Sequence, residues 1–182
     1  SGDIIIPRKF LNLMNSLLAA DENVQIWMGD NNLTASAGSD SIFTRIIDER
    51  FPDFESVIPT DNDKEVLVER DALLSAVKRV SIFSNRSTYQ IALEISGDKA
   101  IIRTEDPEKA SKAKETIPTK LNGENITIGY NAAYLKDVLM HLKSQNIVFH
   151  LKSSISAGLI FPEAQEPNNE VTMLLMPIRL ND

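Results

Sequence analysis

Ile126-Thr127-Ile128-Gly129-Tyr130-Asn131-Ala132-Ala133-Tyr134-Leu135-Lys136-Asp137-Val138-Leu139-Met140-His141-Leu142 contains the phrase that decides the fold. Its β-branched opening predicts a short strand, and the return of Leu135, Val138, Leu139 and Leu142 at spacings of three and four predicts a helix after Asn131. The same phrase occurs twice more. Val66-Leu67-Val68 precedes a helix with Asp71 as its expected N-cap, whose inner face carries Leu73, Leu74, Val77 and Val80. Ile4-Ile5-Ile6 precedes a helix from Pro7 to Ala19, where proline suits the first turn and Phe10, Leu11, Met14, Leu17 and Leu18 share a face. The spacing is an internal repeat of about 60 residues.

Each helix is followed by strand-like runs separated by turn residues. The first repeat has Val24 to Met28, Leu33 to Ala37 and Ser41 to Asp48. The second has Tyr89 to Ile95, Ala100 to Thr104 and Lys112 to Ile117; the third has Ile147 to Leu151, Ser156 to Phe161 and Val171 to Ile178. The expected unit is therefore strand, helix, three strands, and the class is α+β, with helices on one face of antiparallel sheets. One such unit cannot close a core, whereas two packed together can. Residues 64–182 are expected to form one complete domain and residues 1–63 a half-domain plus a linker. In that linker, Phe51 to Asp63 holds two prolines and three aspartates.

The chain of 182 residues has no cysteine, which excludes disulfides, thiolate metal sites and a cysteine nucleophile. No apolar run approaches the roughly 20 residues that cross a bilayer, so the expectation is a cytoplasmic protein without membrane contact. Ser1 is not a natural initiator, and an engineered or processed start is expected. His141 and His150 stand at no metal-ligand spacing, and no phosphate loop or nucleophile elbow is present. The residues predict no catalysis and no cofactor.

Net charge is -7, which argues against a phosphate-binding protein until the charges are located. The three helices carry Arg8, Lys9, Lys78, Arg79, Lys136 and Lys143 against Asp71 and Asp137, a net of +4, leaving -11 for the strands and loops. Basic residues often mark only the solvated side of a helix. Three repeated helices with one bias also fit a surface meeting phosphates while acidic loops repel nucleic acid elsewhere.

The ending Met176-Pro177-Ile178-Arg179-Leu180 and the turn Asp48-Glu49-Arg50-Phe51-Pro52-Asp53 resemble one family, the bacterial DNA polymerase III beta sliding clamps. Ser81-Ile82-Phe83-Ser84-Asn85 and Gly129 to Tyr134 extend the resemblance from about Ile4 to Leu180. It implies the DNA clamp fold, with residues 1–63 as the second half of the middle domain plus linker and 64–182 as the whole last domain. It also implies a processivity factor that encircles duplex DNA without base readout, an accessory subunit that forms a homodimer at full length. Arg8, Lys9, Lys78, Arg79, Lys136 and Lys143 would then face DNA, and Ile82 and Phe83 would lie on the last domain's side of the ring contact. Short linear motifs of the replicative polymerase, the clamp loader and repair proteins would enter a groove formed by Pro59, Asn131, Tyr134, Ile155, Ala157 and the tail Leu174, Leu175, Met176, Pro177, Ile178, Arg179 and Leu180. Asn181 and Asp182 run past the family's usual terminal leucine, and Ala157 stands where some relatives carry serine. The family's other groove wall and its first domain would come from sequence ahead of Ser1, so this chain alone is expected not to close a ring. The alternative is a protein-interaction scaffold of antiparallel sheets with no DNA role.

Overall fold

The computed structural model describes residues 4–17 and 23–180. The chain divides into two compact units, Ser1–Asp53 and Phe54–Asp182, which places residues 54–63 of the expected linker with the second unit.

In the first unit, α1 (Arg8–Leu17) precedes the antiparallel sheet β1 (Gln25–Met28), β2 (Asn32–Ala37) and β3 (Asp40–Arg45), ordered β1-β2-β3. Gly38, at φ 56°, makes the tight link between β2 and β3. A small core forms where Phe10 of α1 meets Leu33 and Ala35 of β2, edged by Ile4, Ile6, Met14 and Ile42. Ile4 to Ile6, expected as a strand, makes one bridge, Ile5 to Ile47, with Ile47 N–H donating to the Ile5 carbonyl at 3.0 Å. A strand needs neighbours to become a ladder, and the other side of Ile5 has none among the described residues. Phe10 and Leu33 are buried in the unit itself, whereas Leu11 and Ile26 are exposed; Leu18 and Ala19 of the expected helix lie outside the described residues.

The second unit runs β4 (Lys64–Glu69), α2 (Arg70–Ser81), β5 (Gln90–Ser96), β6 (Lys99–Asp106), β7 (Ser111–Pro118) and β8 (Lys120–Asn122). It continues with β9 (Ile126–Asn131), α3 (Ala132–His141), β10 (Asn146–Leu151), β11 (Gly158–Pro162) and β12 (Met173–Leu175). Two antiparallel sheets form, ordered β12-β11-β10-β4-β8 and β7-β6-β5-β9. The opening strand of each repeat leaves its own three strands and joins those of the other repeat. Thus β4 pairs with β10, Val66 opposite Phe149, and β9 pairs with β5, Ile128 opposite Leu93. This exchange is how two units close one core. Helices α2 and α3 pack on each other, α2 reaching strands of both sheets and α3 reaching β9 and β12. One continuous core results, with Leu73, Val77, Leu135, Leu139, Ile128, Tyr130, Ile147 and Phe149 almost wholly buried. Each such side chain contributes about 1.5–3 kcal/mol relative to exposure.

All three repeats share one further pairing. The residue three before each helix meets the segment after that repeat's third long strand: Ile5 with Ile47, Leu67 with Lys120, and Gly129 with Ile178. The expected repeat therefore exists as geometry.

The structure corrects local expectations. Glu69, not Asp71, occupies the N-cap position of α2 and makes no side-chain cap bond; Asp71 lies in the first turn, 2.9 Å from the Arg70 guanidinium. The last strand is shorter than Val171 to Ile178, because Met176 and Pro177 leave the β11 ladder before Ile178 reaches β9. Strand β8 was not expected from the sequence. It is three residues long, with only Leu121 carrying an apolar side chain.

Candidate peptide groove and helix surface

The tail is positioned by β9. Ile178 N–H donates to the Gly129 carbonyl at 2.9 Å, so the chain crosses from the β12 edge of one sheet onto the other. A Cβ at Gly129 would lie 2.6 Å from the Ile178 carbonyl oxygen and 2.7 Å from Leu180 Cδ2. Only a residue without a side chain lets the tail lie this close. The glycine was read in the sequence as part of a family phrase, and its contact with the tail was not foreseen; a glycine inside a strand, a known mark of close backbone approach, was the available signal.

Two residues further on, Asn131 caps α3. Its Oδ1 accepts from Ala133 N–H at 2.8 Å and Tyr134 N–H at 3.3 Å, while its Nδ2 donates to the Thr88 carbonyl at 3.0 Å. The cap satisfies helix donors left without partners and fixes the first turn, so Tyr134 stands outward, 66% exposed.

Ile155 belongs to the turn between β10 and β11, where Ser153 Oγ accepts from the Ile155 and Ser156 amides at 3.3 and 3.2 Å. Gly158 then enters the ladder opposite Leu175, which brings this turn beside the tail. Asn62 ties the preceding segment to the same place: its Nδ2 donates to the His150 and Ala157 carbonyls at 2.8 and 3.1 Å. Sequence reasoning missed Asn62, which looks like one more polar linker residue. Lys152 pairs with Asp61 beside it, and that contact raises the lysine's pKa.

Tyr134, Ile155 and Met176 are all exposed. Pro59, Ala157, Leu174, Pro177, Ile178 and Leu180 are half-buried, Leu175 is buried and Arg179 is exposed. Tyr130, next to Gly129 in β9, is wholly buried; burial without a hydrogen-bond partner for its hydroxyl among the described residues pushes the phenol well above its ordinary pKa.

Of the basic set, Arg8, Lys9, Lys78, Arg79 and Lys143 are exposed and Lys136 half-buried. Lys143 lies two residues beyond the end of α3 rather than within it. Arg79 carries a partner: its Nε donates to Glu115 Oε2 at 3.0 Å and its Nη2 to Oε1 at 2.5 Å. That fork holds the Glu115 carboxyl below its ordinary pKa. Ile82 and Phe83, just past α2, are 76% and 45% exposed, beside β7, which is the edge strand of its sheet among the described residues, and Ser111 of β7 donates to the Phe83 carbonyl. Among the described residues no cluster of His, Cys, Asp and Glu could hold a metal ion, and no helix is long and apolar enough to cross a membrane.

Paired helices on exchanged antiparallel sheets, with a tail that crosses from one sheet to the other, define a clamp-type protein. Residues 55–179 match the family model for the C-terminal domain of the DNA polymerase III beta subunit, and residues 1–53 match the model for its central domain. The beta sliding clamp of Escherichia coli strain K12 is 34% identical over 182 residues, 99% of this chain and 48% of that protein. A crystal structure of the Pseudomonas aeruginosa sliding clamp aligns with TM-score 0.86 at 33% identity, covering 97% of this chain and 48% of the other. The clamp of Bartonella birtlesii bound to griselimycin aligns with TM-score 0.87 at 31% identity, covering 97% and 47%. The chain belongs to the DNA polymerase III beta subunit family, the beta sliding clamps. It spans about half the length of the curated relatives it matches.

Proposed function

We propose that the chain serves a sliding clamp, the processivity factor that encircles duplex DNA and tethers the replicative polymerase, the clamp loader and repair proteins. In this reading residues 1–63 are the second half of the middle domain plus linker, and residues 64–182 are the complete C-terminal domain. The role is that of a cytoplasmic accessory subunit of a polymerase holoenzyme with no catalytic site of its own. The observation that carries it is the exposed apolar set Tyr134, Ile155 and Met176, held by the α3 cap, the Ser153 turn and the Gly129–Ile178 crossing. Rigidly supported apolar side chains beside polar backbone are what a short peptide with leucine or phenylalanine anchors requires.

Lys78, Lys136 and Lys143, with Arg8 and Lys9 of the first unit, supply non-specific attraction to backbone phosphate. Arg79, already forked to Glu115, contributes less charge to that surface. Ile82 and Phe83 form this chain's side of the ring contact. The full-length protein closes as a homodimer, and the 182-residue chain alone is expected not to retain a circular plasmid.

The test is titration of the chain with a peptide carrying a glutamine followed by leucine and phenylalanine anchors, read by NMR. Shifts are expected at Tyr134, Ile155, Met176, Pro177 and Arg179. Binding without a shift at any of them refutes the groove.

A further inference from the structure

The sheet of the first unit has two faces of opposite character, and the one turned away from the core holds aromatic rings in water. In the ladders Trp27 stands opposite Thr34 and Thr34 opposite Phe43, so the three form one row across β1, β2 and β3. Leu33 and Ala35 alternate with Thr34 onto the other face, where they are buried with Phe10. Trp27 is 52% exposed and Phe43 84%. The rings rise from strands about 10 Å apart, with the smaller, half-buried Thr34 between them.

This exposure does not come from an unpaired repeat. The second unit has both of its repeats, and the outer face of its β7-β6-β5-β9 sheet still meets water: Arg103, Lys112 and Lys114 share that face and are exposed. Closing a core covers the inner face only. What differs is the side chains. That outer face is charged in both signs, with Arg103 paired to Glu94, and on the sheet of the third repeat Phe161 is half-buried against His150, ring centroids 5.0 Å apart. Trp27 and Phe43 stay bare.

Around the two rings the face is neutral and hydrogen-bonding, with Gln25, Asn32, Ser36 and Ser41 at the neighbouring ladder positions. The one charge among those positions is Arg45, two residues beyond Phe43, about 7 Å along the strand and in no ion pair among the described residues. None of them is a carboxylate, in a chain with 26 acidic and 19 basic residues; Asp40 lies on the core face and Asp30 in the turn beyond the ladder. Flat rings take the faces of other flat rings, and an arginine clear of carboxylates takes an anion. A ligand that alternates the two is a nucleic acid strand with its bases unpaired.

We propose that the outer face of β1, β2 and β3 is a stacking platform for single-stranded nucleic acid, with bases on Trp27 and Phe43 and backbone phosphate at Arg45. The platform tolerates any sequence, because every base has a π-face. It is separate from the tail groove and from the basic helices, and stands whether or not those readings are correct.

Trp27 is the chain's single tryptophan, so its emission reports this face directly. The 182-residue chain is titrated at low salt with an oligothymidylate of about 12 nucleotides, with a duplex and with an abasic strand of the same length. Saturable quenching by the oligothymidylate is expected, and binding of the duplex or the abasic strand at least about tenfold weaker. Phe43→Ala should raise the dissociation constant about fivefold or more, while Phe43→Tyr, which keeps a ring, should bind as the unaltered chain does. Arg45→Gln should flatten the slope of log affinity against log salt by about 0.7. Emission unchanged by the oligothymidylate overturns the proposal. So does quenching that Phe43→Ala leaves unaltered, or that the duplex or abasic strand matches, because phosphate alone would then be bound. Quenching by a peptide with leucine and phenylalanine anchors but not by the oligothymidylate also overturns it, since the face would then be a protein contact.

Discussion

The first and third repeats are one unit in two circumstances. Counting from the start of each helix, the fourth residue is Leu11 in α1, Leu73 in α2 and Leu135 in α3. Leu73 and Leu135 are 2% and 0% exposed, while Leu11 is 47% exposed. The strands tell the same story: Ile147, Phe149 and Leu151 of β10 are buried, and all four residues of β1 are exposed. Identical apolar patterning gives a core in one place and a wet surface in the other. Patterning states which side chains need cover, and only a partnering repeat provides it.

The largest effect expected from this contrast comes from truncating the two strands in turn. Phe149→Ala should destabilise the second unit by about 3–5 kcal/mol, because it empties a filled core. Ile26→Ala, measured by urea unfolding of dilute protein, should change stability by no more than about 0.5 kcal/mol, as for a surface site. Equal costs would break the comparison.

A smaller effect is expected where the third repeat meets its own tail. Gly129→Val places a side chain against the Ile178 carbonyl and Leu180, so the tail must move, at a cost of about 1–3 kcal/mol. Peptide binding should weaken with it. The same substitution at Ile5, the matching position of the first repeat, already carries a β-branched side chain, so Ile5→Val should cost about 0.5–1.5 kcal/mol at most. An unchanged affinity in Gly129→Val would show that the tail's position does not shape the groove.

The least effect is expected from pH. Glu115 is held below its ordinary pKa by the Arg79 fork, so the folded state binds its proton less readily than the unfolded state. Its stabilisation is present above pH 4.5, the ordinary value, and is lost as pH falls through the depressed folded value. Arg79 is exposed and Glu115 only half-buried, so solvent screens the pair and keeps the contribution small. Acid unfolding compared between the chain and Glu115→Gln should show a slightly shallower acid loss in the variant.

The repeat, its period and its three long strands were legible because apolar periodicity repeats three times and each helix face is independent of context. The exchange of β4 and β9 between sheets was not, since nothing in Val66 to Val68 distinguishes pairing with its own repeat from pairing with the next. Asn131, Tyr134 and the tail are assigned to the groove through resemblance alone. Gly129 and Asn62 were missed as supports because their roles depend on what crosses them in space. The Arg79 fork was invisible for the same reason: Glu115 lies 36 positions away on β7. Asp71 looked like a cap because aspartate before an apolar helical run commonly is one, but β4 continues directly to Glu69 and the helix starts a turn's fraction earlier.

Amide hydrogen exchange on the chain across protein concentrations tests the central claim, that a repeat closes its core only with a partner repeat. The account predicts that β10 amides are protected at every concentration, while the outward amides of β1 exchange freely. Protection of β1 equal to that of β10 at the lowest concentration would contradict it.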